Sequence, residues 1–172
     1  MNRPLKKVRF MFIAHLPAGY LLSRLHPNLK QHRIWVMIGA VLPDLDMLYF
    51  TFVDAGMTHH HSYLTHRPAL WACLLLLSLI ARPWFLSKPL MALSIGGLLH
   101  MVLDSVVGAI NWGWPAWDWD APIIVVPAQY DWWVMSFLMH WTFSVELLIC
   151  IVAALCFIHQ RVRDARTLRK TA

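Results

Sequence analysis

Seven histidines and aspartates in four separate segments carry the side chains that bind divalent metals in proteins. They are His15, Asp44, Asp46, His61, His66, His100 and Asp104. Imidazole and carboxylate donors without cysteine suit zinc, manganese or iron. Two metals that share a bridging carboxylate would use about this many ligands. The set therefore predicts a site for one or two divalent ions, zinc first among them.

Asp44 and Asp46, two of these seven residues, interrupt an apolar run. Asp44 and Asp46 are the only ionisable side chains between Ile34 and Val53, and a carboxylate inside a membrane must be paired, solvated or metal-bound. Two residues that are two positions apart point in opposite directions on a regular helix. Pro43 removes a backbone donor and pushes Leu42 out of helical geometry. We therefore expect an interrupted helix whose extended break directs both carboxylates into one cavity.

His100 and Asp104 are four residues apart, so they share one face of a predicted helix. Gly96 and Gly97 precede them and would let a neighbouring helix approach closely. Two interpretations of the pair remain open at this point. Its side chains are either metal ligands or partners in a hydrogen bond that holds two helices together.

His61 and His66 are five residues apart and do not share a helical face. They converge if His61 lies in a loop and His66 directly precedes a helix. Pro68 favours that arrangement, because proline is common at the first position of a helix.

The elements that carry these residues have the composition of a membrane protein. Of the 172 residues, 59% are hydrophobic and 14% are charged, whereas soluble domains lie near half and a quarter. A spanning helix needs about 20 apolar residues. The stretches of roughly that length are Ile34–Val53, Ala69–Leu86, Leu90–Ile110 and Trp132–Ile158.

A shorter apolar segment, Phe10–Leu22, fits a re-entrant or interfacial helix. We therefore expect an all-α, polytopic membrane protein. Residues 1–172 would form a single integral membrane domain, with about four transmembrane helices and a short N-terminal helix of that kind.

The charges orient this arrangement. Lysine and arginine cluster near the chain ends and in short loops, whereas residues 111–131 contain three aspartates and no basic residue. The positive-inside rule then predicts a multi-pass protein of a bacterial-type inner membrane with both termini cytoplasmic. Basic residues are not interleaved with aromatic ones as in nucleic-acid binders, so no nucleic-acid partner is expected.

Six of the ten tryptophans lie between Asn111 and Trp133. Tryptophan favours the membrane–water interface, where its ring is buried and its N–H stays hydrated. The segment is either a simple interfacial anchor or a lid that holds a lipid head group over the site.

In chain order the motifs resemble the YdjM-like family of membrane-bound metal-dependent hydrolases, which is distantly akin to zinc-dependent phospholipases C. The matching residues are His15 and Gly19; Gly39, Ala40, Pro43, Asp44 and Asp46; His61, Thr65 and His66; and His100, Asp104 and Ser105. The third motif departs from the family pattern, because Ser62 and Tyr63 replace arginine and glycine. Arg67 is a nearby replacement for the missing charge. The resemblance implies a metal-dependent hydrolase.

The residues favour metal-assisted hydrolysis of a phosphoester or related bond in a membrane lipid or lipid-linked substrate. A bound metal lowers the pKa of water toward about 7, and an uncoordinated carboxylate can act as general base. We assign catalytic roles to Asp44, Asp104 and His66. The same buried groups would also serve a metal-ion or proton transporter, or a non-catalytic membrane scaffold subunit. Glu146 is expected to pair with Arg82 or with a ligand histidine.

Overall fold

The part of the chain that the structure describes is entirely helical. A computed structural model describes residues 13–54, 60–81, 84–119 and 121–171, and it contains no strand in these ranges. The α-helices are α1 (His15–Ser23), α2 (Pro27–Gln31), α3 (Arg33–Gly39), α4 (Asp46–Phe52), α5 (Pro68–Ile80), α6 (Ser87–Asp104), α7 (Trp133–Leu138) and α8 (Trp141–Thr171). Short 3₁₀ turns lie at Leu42–Leu45, His60–Ser62 and Leu64–His66. The all-α prediction is confirmed.

Helix α6 is the centre of the fold, because α3 and α5 both pack against it and α1 contacts α3, α6 and α8. Two adjacent glycines allow this packing. A Cβ atom at Gly96 would overlap the carbonyl oxygen of Val36 in α3, and one at Gly97 would overlap the Trp71 ring of α5. The predicted close approach at these glycines is confirmed, and each glycine serves a different neighbour.

The apolar run that contains the two aspartates is a broken helix, but the break is not extended. Helix α3 is followed by the 3₁₀ turn Leu42–Leu45, and the two helical parts are bent by 48°. Within the break, the Asp44 N–H donates to the carbonyl of Val41 at 3.1 Å. In a regular helix it would donate to Ala40. The break therefore removes Asp44 as a partner of the Ala40 carbonyl.

The prediction of about four transmembrane helices is wrong. Within the described ranges, one helix, Trp141–Arg169, is long and apolar enough to cross a membrane. A second candidate span is obtained if the bent pair Arg33–Gly39 and Leu42–Phe52 counts as one.

Helix length and polar content explain the difference. Helix α5 ends at Ile80 after 13 residues, which is about 20 Å at 1.5 Å per residue, against a hydrocarbon core of about 30 Å. Helix α6 has 18 residues, but Lys88, His100 and Asp104 are among them and lower its hydropathy. Apolar runs in the sequence were therefore longer than the apolar helices that form from them.

The short N-terminal helix is held inside the protein by α8. The backbone N–H of Ile13 donates to Oε2 of Glu146 at 2.9 Å, and Glu146 is fully buried. This contact fixes the start of α1, and with it the position of His15. The predicted partner Arg82 and the start of the predicted Phe10–Leu22 segment lie outside the described residues.

We expect Gly96→Ala to lower the melting temperature of the detergent-purified protein, because the added methyl group must separate α3 from α6. Overpacking of this kind costs about 1–3 kcal/mol. Val102→Ala changes an exposed position of the same helix and should leave stability within about 0.5 kcal/mol of wild type. Equal melting temperatures for Gly96→Ala and wild type would contradict the backbone contact.

Candidate metal centre

Four of the predicted ligands converge beside α6. Asp44, His66, His100 and Asp104 each offer a ligand atom, and these atoms all lie within 4.8 Å of one another. We call these four residues the His–Asp cluster. The Nε2 atoms of His66 and His100 are 3.3 Å apart, and they lie 3.5 and 3.2 Å from Oδ2 of Asp104. Oδ1 of Asp44 lies 3.9 and 3.6 Å from the same two nitrogens.

The separations among His66, His100 and Asp104 are close to those of donors that share one cation, and Asp44 lies slightly farther away. Ligands at about 2.0–2.1 Å from a tetrahedral zinc ion lie about 3.3–3.4 Å from each other. Both oxygens of Asp104 and both ring nitrogens of His15 are buried, and none of them makes a hydrogen bond of regular geometry with a described residue. Buried polar atoms are normally hydrogen-bonded unless an ion or water is present. The cluster could therefore hold a divalent metal.

Two further histidines contact Asp104. Nε2 of His15 lies 3.0 Å from Oδ1, and its ring stacks on His100 with centroids 4.0 Å apart. Nε2 of His61 lies 3.4 Å from Oδ2, and its ring is 5.1 Å from that of His66. Asp104 is thus surrounded by four imidazoles, and each of its oxygens lies within 3.5 Å of at least one imidazole nitrogen.

Asp46 lies behind His66 rather than in the His–Asp cluster. Its Oδ2 atom is 2.6 Å from Nδ1 of His66, and the hydroxyl of Thr65 donates to the same oxygen. A carboxylate on one ring nitrogen fixes the imidazole so that the other nitrogen can bind a metal. Asp44 and Asp46 therefore lie on opposite sides of one ring, instead of pointing into one cavity as expected.

The carboxylates around His66 also set its protonation. Burial opposes the charged imidazole, but the adjacent carboxylates of Asp104 and Asp46 outweigh burial and raise the pKa of His66 to about 9. A metal ion that binds Nε2 of His66 must displace the proton on that nitrogen, so metal binding at neutral pH would release a proton.

A backbone carbonyl plays the same orienting role for His100. Its Nδ1 atom lies 2.8 Å from the carbonyl oxygen of Ala40, the group that loses Asp44 as a partner at the helix break. The sequence motifs did not predict this contact. Its signal was the position of Ala40 three residues before Pro43, where a helix break exposes carbonyls.

Short turns bring His61 and His66 to the cluster, as predicted. The two 3₁₀ turns His60–Ser62 and Leu64–His66 precede α5, which begins at Pro68. The Trp71 indole N–H donates to the carbonyl of Thr65 at 2.8 Å and ties the second turn to α5.

The tryptophan-rich loop is tied to the end of α6, next to the cluster. The Trp112 indole donates to the Ser105 hydroxyl at 2.7 Å, and the Ile123 N–H donates to the Ser105 carbonyl at 2.9 Å. The Arg67 guanidinium lies over the Trp114 ring at 5.7 Å. Arg67, the residue that could replace the arginine missing from the third motif, therefore contacts this loop. His140 is bonded to Thr142 rather than to the cluster.

We expect elemental analysis of detergent-purified protein to find a bound divalent metal. This metal should be lost in the His66→Ala variant and in the double variant His100→Ala, Asp104→Ala. Asp46→Asn should weaken metal affinity by about 10–100-fold, because it only orients a ligand. His140→Ala is the control and should keep the wild-type metal content. Full occupancy in His66→Ala would exclude His66 as a ligand.

Comparison with known proteins agrees with the resemblance of the motifs. No curated protein and no solved structure gave a significant match. A family model described as "YdjM inner membrane protein" matches residues 11–166. That range includes every residue of the His–Asp cluster and nearly the whole chain. The chain therefore belongs to the YdjM family of inner membrane proteins.

Proposed function

We propose that this protein is a membrane-bound metal-dependent hydrolase that cleaves a phosphoester, or a related bond, in a lipid or lipid-linked substrate. The observation that carries the proposal is the arrangement of the His–Asp cluster. Three donors, from His66, His100 and Asp104, lie 3.2–3.5 Å from each other, and their side chains are at most 1% exposed. Catalytic zinc sites typically combine three protein ligands with an accessible fourth position.

Asp44 occupies the accessible side of this arrangement. Its side chain is 33% exposed, and its Oδ1 atom is farther from the histidine nitrogens than the Asp104 oxygen is. When bound, a divalent cation would polarise a phosphoryl oxygen and acidify water. Asp44 would take a proton from the attacking water as the water oxygen bonds to phosphorus. As the ester P–O bond breaks, Asp44 would return that proton to the departing alkoxide.

Zinc is the proposed ion, because two imidazoles and one carboxylate without sulfur suit it and the spacing of these three donors fits its bond lengths. Manganese and iron accept the same donors. A second ion is compatible with the contacts of Asp104. Its Oδ2 faces the cluster, and its Oδ1 lies 3.0 Å from His15, as a bridging carboxylate would.

A lipid substrate is proposed for two reasons. The chain belongs to a family of inner membrane proteins, and it carries an exposed apolar face. On α8, Leu148, Ile151, Leu155 and Ile158 are 56–62% exposed. Their spacing of three and four residues places them on one face. A contiguous apolar face of this kind is typical of membrane contact.

We expect Asp44→Asn to reduce phosphoester turnover by about 10²–10⁴-fold, the usual contribution of a general base. The measurement is hydrolysis of p-nitrophenyl phosphate, bis-p-nitrophenyl phosphate and mixed phospholipid vesicles by protein loaded with zinc, manganese or iron. His140→Ala is the matched control and should turn over like wild type. Metal-loaded wild-type protein that hydrolyses none of these substrates would count against the proposed activity. Metal flux into proteoliposomes in that case would favour a transporter.

We expect the C-terminus to be cytoplasmic, because Arg161, Arg163, Arg166 and Arg169 follow the apolar part of the candidate span in α8 and the positive-inside rule places such clusters inside. The basic N-terminal residues predict the same side. Fusion of alkaline phosphatase and of green fluorescent protein after Thr171 measures the orientation. High phosphatase activity with no fluorescence would reverse it.

A further inference from the structure

An apolar cavity opens beside the His–Asp cluster, because Asp44 is part of its lining. A cavity of about 520 Å³ lies between α1 and the broken α3 segment, within the range of about 300–1,000 Å³ found for small-molecule sites. Its walls are almost entirely aliphatic, and its polar lining consists of His15 and Asp44. We call this cavity the α1–α3 groove.

The α1–α3 groove meets the cluster where the cluster is accessible. Asp44 is 33% exposed, whereas the side chains of His66, His100 and Asp104 are at most 1% exposed. A molecule that reaches the cluster past Asp44 therefore has an aliphatic wall beside it.

One wall of the groove is a regular stripe along the broken helix. The residues Ile34, Met37, Ile38, Val41, Leu42 and Leu45 line it. They recur every three or four positions, so they stay on one face despite the bend. Eleven residue steps at about 1.5 Å each give a stripe roughly 16 Å long.

The opposite wall comes from Leu16 in α1 and from Ile13 just before this helix, which are 48% and 43% exposed. Apolar side chains on both walls remain largely uncovered by the protein itself. Beyond Ile34 and Met37, which also line a neighbouring cavity of about 350 Å³, the lining becomes polar and includes Arg33 and Arg161. The groove is thus a slot with an aliphatic middle, a charged far end and the His–Asp cluster at its near end.

We propose that the α1–α3 groove binds the hydrocarbon chain of a membrane lipid and places the polar group of that lipid at Asp44. The inference rests on the proposed function, because it identifies the substrate class of the same site. It accounts for a carboxylate, Asp44, that lies among aliphatic side chains in the lining of the groove. A small hydrophilic ester gains nothing from such walls, whereas a hydrocarbon chain that enters the groove removes apolar surface from water and is bound more tightly for it. The groove therefore selects substrates that carry a long chain next to the scissile bond.

Photo-crosslinking tests the groove independently of turnover. The probe is hexadecyl phosphate with a diazirine near the far end of its chain, added to the detergent-purified full-length protein. We expect labels on peptides that contain Leu16, Met37 and Ile38. Ile38→Trp should reduce labelling of these peptides at least tenfold, because the indole fills the groove, while metal content stays unchanged. Leu16→Trp blocks the opposite wall and serves as a second variant if the first is unstable.

Leu148→Trp is the matched control, because it adds the same bulk to the exposed apolar face of α8. It should leave labelling of the groove unchanged. Labels spread evenly over α8 and the groove, or labels that Ile38→Trp does not reduce, would show only general lipid contact and overturn the proposal.

Turnover then separates this inference from the proposed function. In wild type, hexadecyl phosphate should be hydrolysed in preference to p-nitrophenyl phosphate. Ile38→Trp should lower the ratio of the two kcat/KM values, hexadecyl phosphate over p-nitrophenyl phosphate, at least tenfold. Hydrolysis of both esters with no labelling of the groove would overturn the proposed lipid binding in the groove and would still support the proposed hydrolase activity. Specific labelling with no hydrolysis of any ester overturns the hydrolase and leaves the lipid site standing.

Discussion

The buried carboxylate of Asp104 is the constraint on which the rest of this structure depends. Its side chain is 1% exposed, and four imidazoles approach it at 3.0–3.5 Å. An uncompensated charge in such a place is costly, so positive or metal-binding partners must surround it. Those partners come from α1, from the two turns before α5 and from α6 itself. Their convergence on one carboxylate requires these segments to pack around the C-terminal half of α6.

The break after α3 gives the cluster its chemical asymmetry. A continuous helix would bond the Asp44 N–H to the Ala40 carbonyl. In the break that carbonyl is instead 2.8 Å from Nδ1 of His100. The same break sends Asp44 to the accessible side of His66 and Asp46 to its far side, at 2.6 Å from Nδ1. Two aspartates close in sequence thus have different tasks, because the backbone stays helical through the turn and residues two apart on it point to opposite sides.

Polar chemistry in the interior and apolar surface outside it follow from one arrangement. Gly96 and Gly97 let α3 and α5 approach α6 so closely that cluster side chains from separate segments come within a few ångström. The helices that enclose the cluster leave aliphatic side chains exposed on α8 and along the α1–α3 groove. The groove places aliphatic side chains beside Asp44, which links the packing of the helices to the proposed lipid substrate.

The sequence by itself determined the helical class, the His100–Asp104 face, the close contact at the glycines and the turn that positions His66 before Pro68. These features depend on local spacing and on the geometry of single residues, which the sequence states directly. It did not determine the number of spans, because apolar runs do not show where a helix ends, and α5 stops after 13 residues. Only the tertiary structure decided that Asp46 supports His66 from behind, that the Ala40 carbonyl orients His100 and that Glu146 anchors α1 near His15. Each of these contacts joins segments far apart in the chain or depends on the direction of a broken backbone, and neither can be computed from local pattern.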